Sequence, residues 1–339
     1  MFRLKPIYAM LAVILLLVGC SSNSGGNAAA SLTPAPTASE QNTAEEAVPD
    51  TATAAPSGQQ ASPGIGSEAP GAAATPTGTP AITVAEPATL QPVFGFADST
   101  GVRILATWAN EKEDAERLGR IDTAIGSNGL ALPVKPEGWQ PGTDNSNGRD
   151  LALNLENLPG QLFTVENGGA VPDDTYMLVN SAEFNLAALL PIQPAGPEGE
   201  RIDAGSAAMR SIAAAKQREI QAAWKLASLP EERPLYLVQF VREDKSMLFS
   251  LVVQDGKDLI FMDYPAVIQD NEYSVWRVDD GGEVLPQMFS LLFAAETIDG
   301  LLLGVNWRGA EGINSFLLVQ EGQKFKELEP AYSRYTSPL

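Results

Sequence analysis

Histidine does not occur anywhere in this sequence, and cysteine occurs once, at position 20. Without histidine there is no Ser-His-Asp or Cys-His catalysis, no imidazole-bound zinc and no imidazole pH sensor. A single cysteine excludes an intrachain disulfide and leaves a thiolate metal site short of ligands. Several catalytic signatures are missing too. There is no P-loop, no G-x-S-x-G, no S-x-x-K, and no G-x-G-x-x-G opening a helix. No cofactor, metal ligand or specific catalytic residue is therefore expected.

Positive charge is also scarce. The chain has 22 Lys and Arg against 42 Asp and Glu, for a net charge of −20. Nucleic acid repels such a chain overall, so it is not an expected partner. Between Ser21 and Leu90 there is no Lys, no Arg and no aromatic residue. That stretch is Ala, Thr, Ser, Pro and Gly with a few acids. It cannot bury enough apolar surface to offset the entropy of ordering, so residues 20–92 are expected to be a disordered linker. Seventy coil-like residues span about 45–50 Å root-mean-square, and the prolines extend this.

What is present begins at the N-terminus, "MFRLKPIYAMLAVILLLVGC". Arg3 and Lys5 form a short basic end, Ile7 to Val18 an apolar run, and Gly19 a small residue before Cys20. This is the layout of a secretory signal peptide over residues 1–19. The run is too short for a permanent span, which needs roughly 18–20 apolar residues. "LVGC", Leu17 to Cys20, resembles the lipobox of bacterial lipoproteins. The resemblance implies cleavage before Cys20 and a diacylglycerol on its thiol, holding the chain to the cell membrane or outer membrane, outside the cytoplasm. Two acyl chains make a durable anchor, at about 0.8 kcal/mol per buried CH₂. In an envelope with two membranes, Ser21 resembles the residue of lipoproteins sent to the outer one. The resemblance covers residues 1–20 only.

Residues 93–332 carry all five Trp and the periodic apolar segments, with 333–339 left as a tail. The expected fold class is α+β: a predominantly antiparallel β meander with one long helix. The helix is expected over Asp203–Ser228, where Met209, Ile212, Ile220 and Trp224 recur at three- and four-residue steps. Strands are expected at 93–108 in two pieces, 151–155, 161–165 and 175–180. About eight more follow from residue 235, including 273–278. Asp255-Gly256, Asp299-Gly300 and Glu321-Gly322 mark hairpin turns. The Gly-, Pro- and Asn-rich stretch 126–150 reads as loop. Strands apolar on both faces need cover on both sides, here by the helix and by segments from 93–200.

Two surfaces are binding candidates. Arg210, Arg218 and Lys225 fall on the back of the expected helix and would suit an acidic partner; a solvated helix face is the plainer reading. Trp276 and Trp307 would suit sugar stacking; packing is the plainer reading. Asp144, Asn147 and Asp150 read as a polar turn, and Asp279, Asp280 and Glu283 as a solvated one. The sequence therefore predicts a lipid-anchored, non-catalytic binding or assembly domain for an envelope protein or polymer. The alternative is a carboxylate-dependent glycan hydrolase or glycan-binding protein. A two-lobed solute receptor would need alternating strands and helices, and only one long helix is expected.

Overall fold

The computed structural model describes Pro87, residues 90–268 and residues 273–337. The signal peptide, Cys20 and nearly all of the expected linker lie outside the described residues.

Residues 93–179 form a closed six-stranded antiparallel barrel. Its strands are β1 (Val93–Ala97), β2 (Arg103–Ala106), β3 (Thr123–Gly126), β4 (Leu130–Gln140), β5 (Gly160–Val165) and β6 (Thr175–Val179). A single helical turn, α1 (Ala115–Leu118), lies between β2 and β3. The order around the barrel is β1-β2-β5-β4-β3-β6. Asp98 closes the first turn, its Oδ1 accepting from the amides of Thr100, Val102 and Arg103 at 3.0–3.3 Å. Asn128 and Gly129 turn β3 into β4 with φ of 61° and 82°, values that Gly and Asn tolerate best. β4 spans a corner, pairing with β3 along its first half and with β5 along its second. A bulge between Pro136 and Gly138 separates that second half into two registers. Two parts of this region differ from the expectation. β3 and β4 occupy part of the stretch read as loop, and 152–157 is 3₁₀ helix rather than strand.

The remainder is a ten-stranded sheet. Short β7 (Gln193–Pro194) and β8 (Glu200–Arg201) pair with β9 (Ile220–Leu229). β9, β10 (Arg233–Phe240), β11 (Ser246–Asp255) and β12 (Asp258–Val267) make one antiparallel meander. β13 (Phe289–Thr297), β14 (Gly300–Arg308), β15 (Gly312–Glu321) and β16 (Lys324–Tyr335) make a second. The β11-β12, β13-β14 and β15-β16 hairpins turn at the Asp-Gly and Glu-Gly pairs noted above. The two meanders join through a parallel contact of β12 with β16, at Phe261 and Lys324. β16 continues past residue 332, into the stretch expected as tail.

Side chains of period two place three cores along the two meanders, besides the barrel's own interior around Ile104, Phe163 and Leu178. Leu235, Leu237, Phe249 and Leu251 of the first meander pack against Leu303, Val305, Trp307 and Phe316 of the second. The alternate residues Tyr236, Val238 and Val252 face outward and are covered by Met209 and Ile212 of α2 (Ala207–Lys216). On the second meander, the alternate residues Leu302, Leu317 and Val319 share a core with Phe94, Ile125 and Met177 of the barrel. Both outward faces are thus covered, one by a helix and one by the barrel.

The helix itself requires correction. Ser206 caps α2, its Oγ accepting from the Met209 amide at 3.3 Å. The helix stops at Lys216, because Gln217 takes a left-handed conformation and its amide closes on the Ala213 and Ala214 carbonyls. Residues 220–229 are strand β9, not the second half of a long helix. Residues 273–278 are not a strand either. They fold around Asp280, whose carboxylate accepts from the amides of Val275, Trp276 and Arg277 at 2.6–2.8 Å.

Candidate functional site

The three basic candidates do not form one surface. Arg210 lies on α2 and donates to the Gly205 carbonyl. Arg218 follows the helix and donates to the Val241 and Ser246 carbonyls at 3.1 and 3.0 Å. Lys225 lies in β9 and pairs with Glu200 of β8 at 2.5 Å. Each of the three tethers local structure. The expected helix back that grouped them is absent.

Trp276 and Trp307 do come together, but in the core. Phe249 meets the ring of Trp276 edge-on at 5.0 Å and that of Trp307 at 5.3 Å. Tyr264 and Phe289 complete the cluster. Trp276 donates its Nε1 to the Tyr264 carbonyl at 2.9 Å. Among the described residues, the buried Nε1 of Trp307 and Oη of Tyr264 have no hydrogen-bond partner. Burial raises the Tyr264 phenol well above its ordinary value, which keeps it protonated. This cluster carries aromatic packing rather than an exposed row for stacking a sugar.

The acids are spread out. Among the described residues, no group of three His, Cys, Asp or Glu is placed to hold a metal ion. Glu327 on β16 is half-buried; burial first, then neighbouring Glu329, raises its carboxyl above the ordinary value. Burial also raises Asp150. Asp279, Asp280 and Glu283 edge a small hollow of about 190 Å³ with Arg277, Arg308 and Trp307.

A larger cavity, about 420 Å³, opens beside β6 where the barrel meets the sheet. Ligand sites typically occupy ~300–1,000 Å³ and favour such junctions. The barrel contributes Met177, Leu178 and Val179, the segment after α1 contributes Ile121, and the sheet contributes Leu317. Arg117, Arg120, Asn180 and Glu183 bring polar groups to it. Arg117 is held by Asp114 at 2.6 Å and donates to the Gln91 carbonyl at 3.0 Å. None of these residues stood out in the sequence. The signals present were the "AERLGRI" run, which puts Arg117 and Arg120 one turn apart, and the apolar strand "TYMLV".

Among the described residues, no helix is long and apolar enough to cross a membrane. No protein-family model, curated protein or solved structure matches the chain.

Proposed function

We propose that this chain is a lipid-anchored extracytoplasmic protein whose folded part is a non-catalytic binding or assembly domain for an envelope protein or polymer. The observation that carries the anchor is the run from Arg3 to Cys20, with its basic end, apolar core and LVGC. The linker composition supports a domain held clear of the lipid surface. The cavity beside β6, with its apolar lining and polar groups, supports a binding role.

The test is membrane fractionation of cells carrying the wild type or Cys20→Ala, followed by crosslinking of intact cells and mass spectrometry. Release of the variant from membranes supports the anchor, and its retention overturns it. Capture of one dominant envelope protein, or of wall polymer, supports a binding domain. Turnover of isolated envelope glycan by the protein overturns the non-catalytic part.

That last outcome belongs to a second reading, a carboxylate-dependent glycan hydrolase. Glu327 is the residue it would draw on: half-buried on β16 near Glu329, with its carboxyl raised first by burial and then by that acid, the direction a general acid needs. Loss of glycan release in Glu327→Gln would support this reading.

A further inference from the structure

The cavity beside β6 combines a buried apolar floor with a rim of both charges. Ile121, Met177, Phe184 and Leu317 are each at most 4% exposed, so packing fixes the floor's shape. At the rim, Arg120 approaches Glu183 at 3.8 Å and Glu116 at 3.9 Å. Both separations exceed hydrogen-bonding range. The Asn180 amide reaches Glu183 only at 3.4 Å. Both members of the Arg120–Glu183 pair are more than half exposed. A guanidinium and a carboxylate therefore stand side by side at the mouth, with bonding capacity left on each.

This arrangement selects among ligands. The other cation of the lining, Arg117, is already engaged by Asp114 and the Gln91 carbonyl, so a head bearing only a carboxylate meets Arg120 but is repelled by Glu183. A head bearing only an ammonium meets the reverse. A head bearing both satisfies both, each through a charge-assisted hydrogen bond. We infer that the cavity binds an apolar α-amino acid, with its carboxylate on Arg120, its ammonium on Glu183 and its side chain on the floor. The inference rests on reading the folded part as a binding domain and goes beyond the proposed protein or polymer partner, giving this cavity a small-molecule ligand of its own.

Calorimetric titration of the detergent-solubilised full chain with leucine tests it. Saturable binding is expected. Arg120→Gln and Glu183→Gln should each weaken it by about tenfold. Isocaproate and isoamylamine keep the apolar body and one charge apiece, and each should bind about tenfold more weakly than leucine. Absence of saturable heat with leucine, isoleucine, methionine and phenylalanine overturns the inference. So does isocaproate binding as tightly as leucine. The ligand comparison needs no variant, so it stands even where a substitution disturbs folding. A negative result here leaves the fractionation and crosslinking outcomes unaffected, so failure of this inference is distinct from failure of the binding-domain reading.

Discussion

The guanidinium of Arg334, on the last strand of the sheet, stacks 4.3 Å from the ring centre of Phe96, on the first strand of the barrel. The Arg334 side chain is fully buried. It donates to the carbonyls of Asp150 and Asp173 and to Thr175 Oγ1 at 2.5–3.2 Å. The Asp173 carboxylate lies 3.7 Å away. One cation thus ties β16 to three segments of the barrel region, with each of its three nitrogens hydrogen-bonded. Replacing it with a neutral chain takes the donor from those partly buried carbonyls and from buried Thr175. Arg334→Met is expected to destabilise the fold by about 3–5 kcal/mol. A urea midpoint lower by that amount at unchanged slope is the check; a loss under about 1 kcal/mol would refute the role.

Glu327 gives stability a pH dependence. Its carboxyl holds a proton in the fold to higher pH than its ordinary value near 4.5. In the window just above that value the folded chain binds more protons than the unfolded one, so stability falls as pH rises. Glu327→Gln removes that contribution. The variant should be more stable than the wild type at neutral pH, with a smaller advantage below the ordinary value. Urea midpoints for both proteins at about pH 4 and about pH 7 decide it; equal shifts at both would contradict the assignment.

Trp307 separates packing from hydrogen bonding. Its indole N–H is buried without a partner, so losing that N–H forfeits no bond. Trp307→Phe keeps one ring in the site and should cost about 1–2 kcal/mol, for the smaller cavity left behind. Trp307→Ala should cost about 3–5 kcal/mol through the cavity it leaves among Phe249, Tyr264 and Phe289. Similar losses for the two variants, read from thermal or urea unfolding, would show that the N–H matters.

The shared core predicts one cooperative unit. Phe94, Ile125 and Met177 of the barrel interlock with Leu302 and Leu317 of the sheet. A chain beginning at Leu90 should unfold in a single step, with tryptophan fluorescence and far-ultraviolet dichroism coincident. Two separated transitions would mean that barrel and sheet fold independently.

The legible parts of this fold were those written in local pattern. Short runs apolar on both faces, such as "LYLVQFV" and "MLFSLVV", with the Asp-Gly turn signals, located strands of the sheet and implied cover on both faces. The helix failed at Gln217, a left-handed residue with no glycine or proline to announce it. Beyond it, Ile220–Leu229 is rich in helix formers, and pairing with β10 along its length overrides that preference. β4 was hidden by Pro133, Pro136 and Gly138. A strand accepts them where it changes partners and bulges; Asn128-Gly129 was the unread turn signal. The cavity was invisible for a different reason. Ile121 and Leu317 meet there from opposite ends of the folded region, and no local spacing encodes that.

The closed barrel has a mechanical consequence. β1, the strand by which the chain enters, is hydrogen-bonded to β2 on one side and to β6 on the other. An edge strand under tension peels away one bond at a time. β1 has no free edge: a pull arriving along the chain at Val93 meets the β6 ladder over Val93–Phe96 first, and the β2 ladder at Phe96 and Ala97 behind it. Were the chain tethered as proposed, a tug on the tether would be met by two successive ladders rather than by a strand free to peel.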